Sequence, residues 1–261
     1  MNGAALVTGA GKRLGKAMAL YLANRGLDVA VHYNSSSEDA ETVVRDIRQM
    51  GRHAVAIQAD LTQEDDMQRL VPEAAAELDQ PLTVLVNSAS IFEYDNIETA
   101  TRESWDRHLE SNLRAPFVLT QSFAAQAPEP EIGGDWNEPT AQAMIVNLID
   151  QRVRKPTPEF MTYTIAKMGL WALTKTSAQA LAPKVRVNAI GPGPTIQGTR
   201  QSESHFGRQR SATILERGAD ADGITKALGY FIDAPAVTGQ LLCVDGGQHL
   251  AWKTPDVLGV E

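Results

Sequence analysis

Two residues of one segment, Tyr163 and Lys167, have the types and the spacing of a proton-transfer pair. A separation of four residues places both side chains on the same face of a helix. A neighbouring ammonium favours phenolate, so we expect Lys167 to lower the pKa of Tyr163 from about 10 towards the working pH. The phenol would then pass a proton to or from a substrate. A Tyr-x-x-x-Lys match also arises by chance as a surface pair, so it needs support from the rest of the chain.

A glycine-rich turn near the start of the chain has the composition of a phosphate-binding loop. Gly9, Gly11 and Gly15 follow the apolar stretch Ala4 to Thr8 and precede a helical pattern. Glycines let the backbone turn tightly and approach a pyrophosphate, and the helix N-terminus offers unpaired N–H donors and a partial positive charge. The spacing Gly-x-Gly-x-x-x-Gly is one residue longer than the common dinucleotide fingerprint, and such glycines also serve simple packing. Its position after the first strand favours dinucleotide binding.

The elements that must position these residues alternate along the chain. Short apolar runs, several apolar at every position, predict strands covered by helices on both faces. They are Ala4 to Thr8, Asp28 to Tyr33, His53 to Gln58, Leu82 to Asn87, Ala143 to Leu148, Val185 to Ile190 and Gln240 to Val244. Apolar residues recurring at every third or fourth position predict helices, such as Leu14 to Arg25, Asp39 to Met50, Asp65 to Leu78 and Tyr163 to Leu181. The fold class is therefore α/β: a single Rossmann-type, doubly wound domain over residues 1–261, with a parallel seven-stranded sheet and helices on both faces.

Two segments interrupt this alternation. Ala127 to Thr140 contains three prolines and two glycines, which predicts an exposed loop, either a tolerated surface insertion or a functional segment. Residues 194–218 follow a Gly-Pro-Gly-Pro run and are polar and basic. A long excursion at the carboxyl end of a strand is where a substrate lid would lie.

Composition excludes several classes of partner. The 261 residues carry a net charge of −8, which argues against nucleic acid, and a single cysteine allows neither an internal disulfide nor a cysteine-based zinc cluster. We expect no metal site. No uncharged apolar run approaches the roughly 18 residues of a membrane span, and no basic leader precedes the first apolar stretch. We therefore expect a cytoplasmic protein with a small-molecule substrate.

The chain resembles the short-chain dehydrogenase/reductase family over nearly its whole length. The first turn matches the family's Thr-Gly-x-x-x-x-x-Gly, and Asn87-Ser88-Ala89-Ser90 stands where the family has Asn-Asn-Ala-Gly. Asn112 matches the asparagine that helps to hold a proton-relay water in the family. Together with the resemblance, the local sequence predicts a cofactor site formed by Gly9, Gly11, Lys12, Arg13, Leu14, Gly15, His32, Tyr33, Asn34, Ser35, Asp60, Leu61, Asn87, Ser88, Ala89, Tyr163, Lys167, Pro192, Gly193 and Thr195.

The charge around the adenosine ribose favours NADPH over NADH. An NAD site usually has a carboxylate at the end of the second strand, and this strand ends His32-Tyr33-Asn34-Ser35-Ser36 without an acid. Lys12 and Arg13, with the two serine hydroxyls, form a plausible cradle for a 2′-phosphate. Lys12 could instead be a solvated lysine at a helix start.

Asp150 stands where most family members have the serine that hydrogen-bonds the substrate carbonyl. A carboxylate cannot donate to a carbonyl unless it is protonated, but with the phenol it could protonate a ring nitrogen. This departure resembles the pteridine reductase-like branch, which also includes dihydromonapterin and dihydrofolate reductases and whose catalytic set is Asp-Tyr-Lys. The resemblance implies that Phe92 stacks on the pterin, that Ser90 lies beside it, and that Arg13 reaches pterin and phosphate oxygens. Asn34-Ser35 departs from the arginine that this branch often places after the second strand.

The leading hypothesis is an NADPH-dependent reductase of a dihydropteridine-type C=N bond. Its catalytic residues are Tyr163, Lys167, Asp150 and Asn112, and its substrate contacts are Arg13, Ser90, Phe92, Asp150 and Tyr163. A general short-chain carbonyl or 3-oxoacyl reductase is the alternative within the enzyme class. A non-catalytic dinucleotide sensor or scaffold is the alternative outside it. The resemblance also implies a homotetramer, with the helix that carries the tyrosine at one interface.

Overall fold

The computed structural model describes residues 3–198 and 201–252. Nine strands are described: β1 (Ala4–Val7), β2 (Asp28–Tyr33), β3 (Ala54–Gln58), β4 (Leu82–Asn87), β5 (Glu131–Gly133), β6 (Glu138–Thr140), β7 (Ala143–Leu148), β8 (Val185–Pro192) and β9 (Leu241–Val244). The α-helices are α1 (Arg13–Asn24), α2 (Ser37–Gln49), α3 (Glu64–Glu77), α4 (Arg102–Leu109), α5 (Ala115–Gln126), α6 (Met161–Leu181), α7 (Glu203–Ser211) and α8 (Ala221–Asp233). Among these residues no helix is long and apolar enough to cross a membrane.

Seven of the strands form one sheet in the order β3-β2-β1-β4-β7-β8-β9, and every neighbouring pair is parallel. This confirms the predicted fold class, and each predicted strand of the sheet is present to within two residues at either end. The strand order reverses between β1 and β4, so the loops after these two strands diverge and leave a crevice at the carboxyl edge.

The core has two layers, one on each face of the sheet. Alternate residues of β1 point to opposite faces: Ala5 and Val7 pack with α1, α2 and α8, whereas Ala4 and Leu6 pack with α3, α5 and α6. Because the central strands β1, β4 and β7 are buried along their whole length, they are apolar at both parities. This burial holds the strands in place, and their carboxyl ends form the floor of the crevice.

The segment from Ala127 to Thr140 begins at a buried residue, Ala127, and is exposed from Glu131 onwards, and it is not an irregular loop throughout. Glu131 pairs with Thr140 and Gly133 with Glu138, so β5 and β6 form a short antiparallel hairpin. Residues 131–140 are all exposed. The prolines and glycines that predicted a loop stand at a strand edge and around the turn, where they are tolerated.

A π-helical turn, Glu110–Arg114, joins α4 to α5. Such a turn adds a residue to the helix and displaces the side chains that follow, which is why π-turns often occur at functional sites. This one contains Asn112. The predicted lid, residues 194–218, contains α7, and residues 199–200 of it lie outside the described part of the chain.

Candidate active site

Tyr163 and Lys167 lie one turn apart on α6, beside the carboxyl end of β7. The Tyr163 hydroxyl donates a hydrogen bond of 3.1 Å to Oδ2 of Asp150, which follows β7. Oδ1 of Asp150 accepts the backbone N–H of Arg152 at 2.8 Å. The Lys167 ammonium donates to the carbonyl of Leu148 at 2.8 Å. Three of the four predicted catalytic side chains are thus brought together, with Asp150 hydrogen-bonded to the phenol.

Burial dominates the charges of this group. Desolvation lowers the pKa of Lys167 to about 8, although Asp150 opposes the shift. Burial also raises the pKa of the Asp150 carboxyl, and the Arg152 N–H and charge offset this only in part. For Tyr163, burial and then the Asp150 charge hold the pKa well above 10. The expected lowering of the Tyr163 pKa by Lys167 is therefore wrong for this structure, because the ammonium turns to a backbone carbonyl while a carboxylate faces the phenol.

Asn112 and Ser90 form the wall opposite Asp150. Asn112 is fully buried, its carbonyl oxygen accepts the Ser90 hydroxyl at 2.6 Å, and its amide nitrogen donates to the Ile91 carbonyl at 3.0 Å. The Ser90 hydroxyl also interacts with Tyr163, where it acts to lower the phenol pKa. Asn112 thus holds the loop after β4, and its part in a proton relay stays a prediction.

An aromatic cluster forms the mouth of the site. The Phe92 ring stacks on Phe160 with centroids 4.3 Å apart and meets Tyr163 edge-on at 4.7 Å. Tyr94 packs edge-on against Phe160 at 5.3 Å, and the Arg152 guanidinium lies 4.9 Å from the Phe160 centroid. Phe92 is 45% exposed, so part of the ring remains accessible to a flat ligand.

Three members of this cluster, Tyr94, Arg152 and Phe160, are absent from the sequence-based site. Phe160 has φ of +55°, a left-handed conformation that is uncommon outside glycine, and this turns its ring towards Phe92. No local pattern signals that conformation. Of the three, only Arg152 could have been found from the sequence, because a basic residue two positions after the predicted Asp150 carboxylate is a candidate partner for it.

The glycine turn has the geometry of a backbone cradle. Gly9 has φ of +64°, and a Cβ on Gly15 would lie 2.1 Å from the Gly9 carbonyl oxygen. The Gly9 N–H donates to Nδ1 of His32 at 3.0 Å, and Nε2 of His32 bonds to the Ala59 carbonyl. Burial lowers the pKa of His32 to about 4, so the ring is neutral, with its proton on Nε2. His32 therefore holds the glycine turn by a hydrogen bond, and both of its ring nitrogens are bonded to protein groups.

Two basic residues of this turn already have partners. Lys12 pairs with Asp39 of α2 at 2.9 Å, both side chains being exposed. Arg13 donates through Nη1 and Nη2 to the carbonyls of Gln197 and Ile196, each at 2.8 Å. Asp39 is an acid near the predicted phosphate cradle that the sequence reading did not assign there. Arg13 connects the cofactor turn to the start of the predicted lid.

The rest of the predicted cofactor site lines the same edge. Thr8, which the site prediction omitted, accepts the N–H groups of Ser88 and Ala89 through Oγ1 at 2.9 and 3.0 Å. Gly193 donates to the Val244 carbonyl, and Thr195 Oγ1 donates to the Gly193 carbonyl. Asp60 accepts the N–H and the hydroxyl of Thr62, so its carboxylate shapes the loop after β3. The other predicted contacts lie at the same edge: Leu14 is in the first turn of α1, Tyr33 and Pro192 end β2 and β8, and the loops after β1, β2 and β3 contain Gly11, Asn34, Ser35 and Leu61.

These residues fit a dinucleotide. The N-cap residue of α1, Lys12, makes no side-chain cap bond, so the first N–H groups of the helix can bind a phosphate. The turn approaches its neighbours too closely for a Cβ at Gly9 or Gly15. The Asn87 side-chain oxygen is buried and has no hydrogen-bond partner among the described residues. A ligand along this crevice would be bound by backbone donors and would find an open acceptor.

Proteins similar to this chain include reductases whose structures contain NADP. The family model for short chain dehydrogenases matches residues 3–206. The FolM alternative dihydrofolate reductase 1 of Brucella suis, solved in complex with NADP, is 41% identical, with a TM-score of 0.89 and 97% of each chain covered. The Brucella canis FolM structure, also with NADP, is 39% identical at a TM-score of 0.87, covering 98% of this chain and 97% of that one. By sequence, the 3-oxoacyl-[acyl-carrier-protein] reductase FabG of Staphylococcus aureus is 30% identical over 256 residues, which are 96% of this chain and 99% of the relative.

Proposed function

Because the chain belongs to the short chain dehydrogenase family, we propose that it is an NADPH-dependent reductase of a C=N bond in a dihydropteridine-type substrate. A pteridine, a dihydromonapterin or a dihydrofolate would serve. The single observation that carries this proposal is the hydrogen bond of 3.1 Å between Tyr163 and Asp150. It places a carboxyl group, rather than the usual serine, beside the phenol.

The Asp150–Tyr163 pair suits protonation of nitrogen better than reduction of a ketone. A ketone oxygen needs two donors, and an ionised carboxylate offers none. Burial raises the pKa of Asp150, so the carboxyl is prone to bind a proton that it can share with the phenol. A ring nitrogen that becomes basic as hydride arrives at the adjacent carbon is a suitable acceptor for that proton.

The reaction needs one hydride and one proton. NADPH, when bound, supplies the hydride and is oxidised to NADP⁺, and a C–H bond forms at the imine carbon. Tyr163 delivers the proton that forms the N–H bond, and the Asp150 carboxyl, when protonated, returns a proton to the phenol along the 3.1 Å hydrogen bond. Lys167, held by the Leu148 carbonyl, keeps a positive charge near the carboxylate. Phe92 offers an exposed ring on which a flat heterocycle can stack opposite the nicotinamide.

We assign the cofactor as NADP(H) on two supports. The FolM structures of Brucella suis and Brucella canis contain NADP. In this chain Lys12 and Arg13 lie in the first turn, where the α1 N-terminus would receive the pyrophosphate. Binding a 2′-phosphate at Lys12 requires its ammonium to turn away from Asp39. The Lys12–Asp39 ion pair is exposed and therefore contributes little stability.

A second candidate is the reduction of 3-oxoacyl thioesters, which the sequence similarity to the Staphylococcus aureus reductase favours. Asp150 weighs against it, because that chemistry requires a hydroxyl donor at the substrate carbonyl. The two candidate reactions differ in the group that they require beside the phenol, and one set of assays can separate them.

The decisive experiment gives the purified protein NADPH with dihydrobiopterin, dihydrofolate and a small diketone in parallel. We expect turnover of a dihydropteridine and a loss on the order of 10²-fold or more in Tyr163→Phe. Asp150→Asn preserves the shape of the side chain but removes its acidic proton, and we expect a similar loss of dihydropteridine turnover. Asp150→Ser should gain diketone activity. Turnover of the diketone alone by the wild type would refute the proposal. Cofactor binding without turnover of any substrate would instead favour the sensor or scaffold alternative.

A further inference from the structure

Three buried polar side chains next to the site, Asp95, His108 and Thr162, are hydrogen-bonded to one another. They come from the loop after β4, from α4 and from the first turn of α6, and their exposed fractions are 1%, 0% and 2%. Nδ1 of His108 lies 2.7 Å from Thr162 Oγ1, and the Thr162 hydroxyl donates to Asp95 Oδ2. The Glu93 N–H donates to Nε2 of His108 at 3.1 Å, so the ring proton is on Nδ1 and the chain of donors is consistent.

Asp95 also caps the helix that carries the proton donor. Its backbone carbonyl accepts the N–H groups of Phe160 and Met161 at 2.7 and 3.3 Å, and its carboxylate accepts the Thr162 N–H at 3.1 Å. These are N–H groups of the helix start that have no intrahelical acceptor. Phe160, at the position of the N-cap, makes no side-chain cap bond. The first turn of α6 is therefore fixed by a residue 67 positions before Thr162.

Burial and hydrogen bonds keep His108 neutral and Asp95 ionised at neutral pH. Burial lowers the pKa of His108, although the carboxylates of Asp95 and Glu93 oppose this and the neighbouring Arg107 adds to it. For Asp95, burial alone would raise the pKa, but the hydrogen bonds from Thr162 outweigh it and hold the pKa below its usual value. A neutral imidazole is what the geometry needs, since Nε2 must accept the Glu93 N–H.

The network holds the backbone on both sides of the ring contact at the active site. Glu93 directly follows Phe92, and Thr162 directly precedes Tyr163, while the rings of Phe92 and Tyr163 meet at 4.7 Å. We propose that Asp95, His108 and Thr162 are positioning residues that set the distance between the substrate-stacking ring of Phe92 and the proton-donating hydroxyl of Tyr163. This rests on the proposed function, in which Phe92 stacks on the substrate and Tyr163 is the donor.

The test compares Thr162→Val, which removes the hydroxyl at constant size, with Thr162→Ser, which keeps it. We expect Thr162→Val to lower kcat for the dihydropteridine by about tenfold or more while the Kd for NADPH stays within about twofold, because misplaced reacting groups cost rate before affinity. Thr162→Ser should recover most of the loss. The matched control is Thr225→Val, which removes another buried hydroxyl, one that bonds within α8 to the Asp222 carbonyl. It should leave kcat unchanged.

Amide hydrogen exchange provides a readout that does not depend on turnover. We expect faster exchange in residues 90–97 and 158–165 of Thr162→Val and of Asp95→Asn, with the wild-type pattern in Thr162→Ser. The proposal is overturned by wild-type kcat in Thr162→Val, by equal losses in the valine and serine variants, or by a Kd for NADPH that rises in step with the loss of kcat. If the wild type turns over no substrate, the proposed function fails, and the exchange pattern still decides whether the network holds these two segments.

Discussion

At the scale of single residues, the site depends on which partner each polar atom has. Asp150 lies within hydrogen-bond distance of the Tyr163 hydroxyl, whereas the Lys167 ammonium is bonded to a backbone carbonyl. Burial raises the pKa of both groups, and the Asp150 charge raises the pKa of the phenol further, whereas the hydrogen bond from Tyr163 lowers the pKa of Asp150. The pair therefore keeps a proton at neutral pH, and a proton donor is what imine reduction needs.

His32 supports a prediction about acid stability. Its pKa is lowered from 6.5 to about 4, so between these values the unfolded chain binds a proton that the folded chain does not. The contribution of neutral His32 to the free energy of unfolding is therefore fully present above pH 6.5. It is lost as the pH falls towards 4, by about 3 kcal/mol in total. We expect the unfolding free energy of the wild type, measured with urea at a series of pH values, to fall across this window. His32→Gln should fall less steeply, and equal slopes for the two proteins would contradict the assignment.

At the scale of elements, the loops at the carboxyl edge of the sheet are held by side chains from other elements. Arg13 donates to two carbonyls at the start of the predicted lid, and Arg210 of α7 donates to the carbonyls of Pro194 and Ala219 at its two ends. We propose that residues 194–218 cover the substrate, with Arg13 connecting cofactor and lid. An arginine suits this role because its planar fork binds two acceptors at once.

The α1 turn supports a prediction on glycine substitution. Gly15→Ala places a Cβ 2.1 Å from the Gly9 carbonyl oxygen, which forces the turn open. We expect at least a tenfold rise in the Kd for NADPH and a clear fall in Tm, since the backbone donors are no longer aligned. Gly133→Ala in β5 is the control, because nothing lies within 4 Å of its added Cβ. Retained NADPH affinity in Gly15→Ala would show that the turn does not bind the pyrophosphate.

At the scale of the whole molecule, one sheet brings the predicted cofactor and substrate residues to the same edge. We propose that specificity depends on the loop after β4, the segment after Asp150 and the predicted lid. The outer face of the α4–α6 region carries apolar side chains that are about two-fifths exposed, namely Trp105, Phe117, Ile165 and Met168. A groove beside them is lined by the apolar Leu109, Leu113, Phe117 and Leu173, together with Glu110 and Arg114. Exposed apolar area of this kind marks a protein contact.

We predict that this face joins copies of the chain in a homotetramer. Phe117→Lys combined with Met168→Glu should yield smaller species in sedimentation velocity, because charges buried at an apolar interface are costly. Met50→Lys is the control, since Met50 is similarly exposed at 48% but follows α2, away from this face. A wild-type monomer, or a double variant that sediments like the wild type, would exclude this interface.

The sequence by itself determined what depends on near neighbours in the chain. Short apolar runs predicted the seven strands of the sheet, and glycine spacing predicted the first turn. A four-residue separation placed Tyr163 and Lys167 on one helix face. The replacement of serine by Asp150 was visible as a departure from the family and identified the residue on which the proposed function depends.

Only the tertiary structure decided which distant residues meet. The stacking of Phe92 on Phe160, the capping of α6 by Asp95 and the bonds from Arg13 to the lid join residues that are far apart in sequence. It also reversed the expected pKa shift of Tyr163, because burial raises the pKa of the phenol and the carboxylate beside it adds to this effect. The physical reason is range: periodicity reports the face and the length of an element. Hydrogen-bond partners and desolvation depend on how the loops of separate elements converge at the sheet edge.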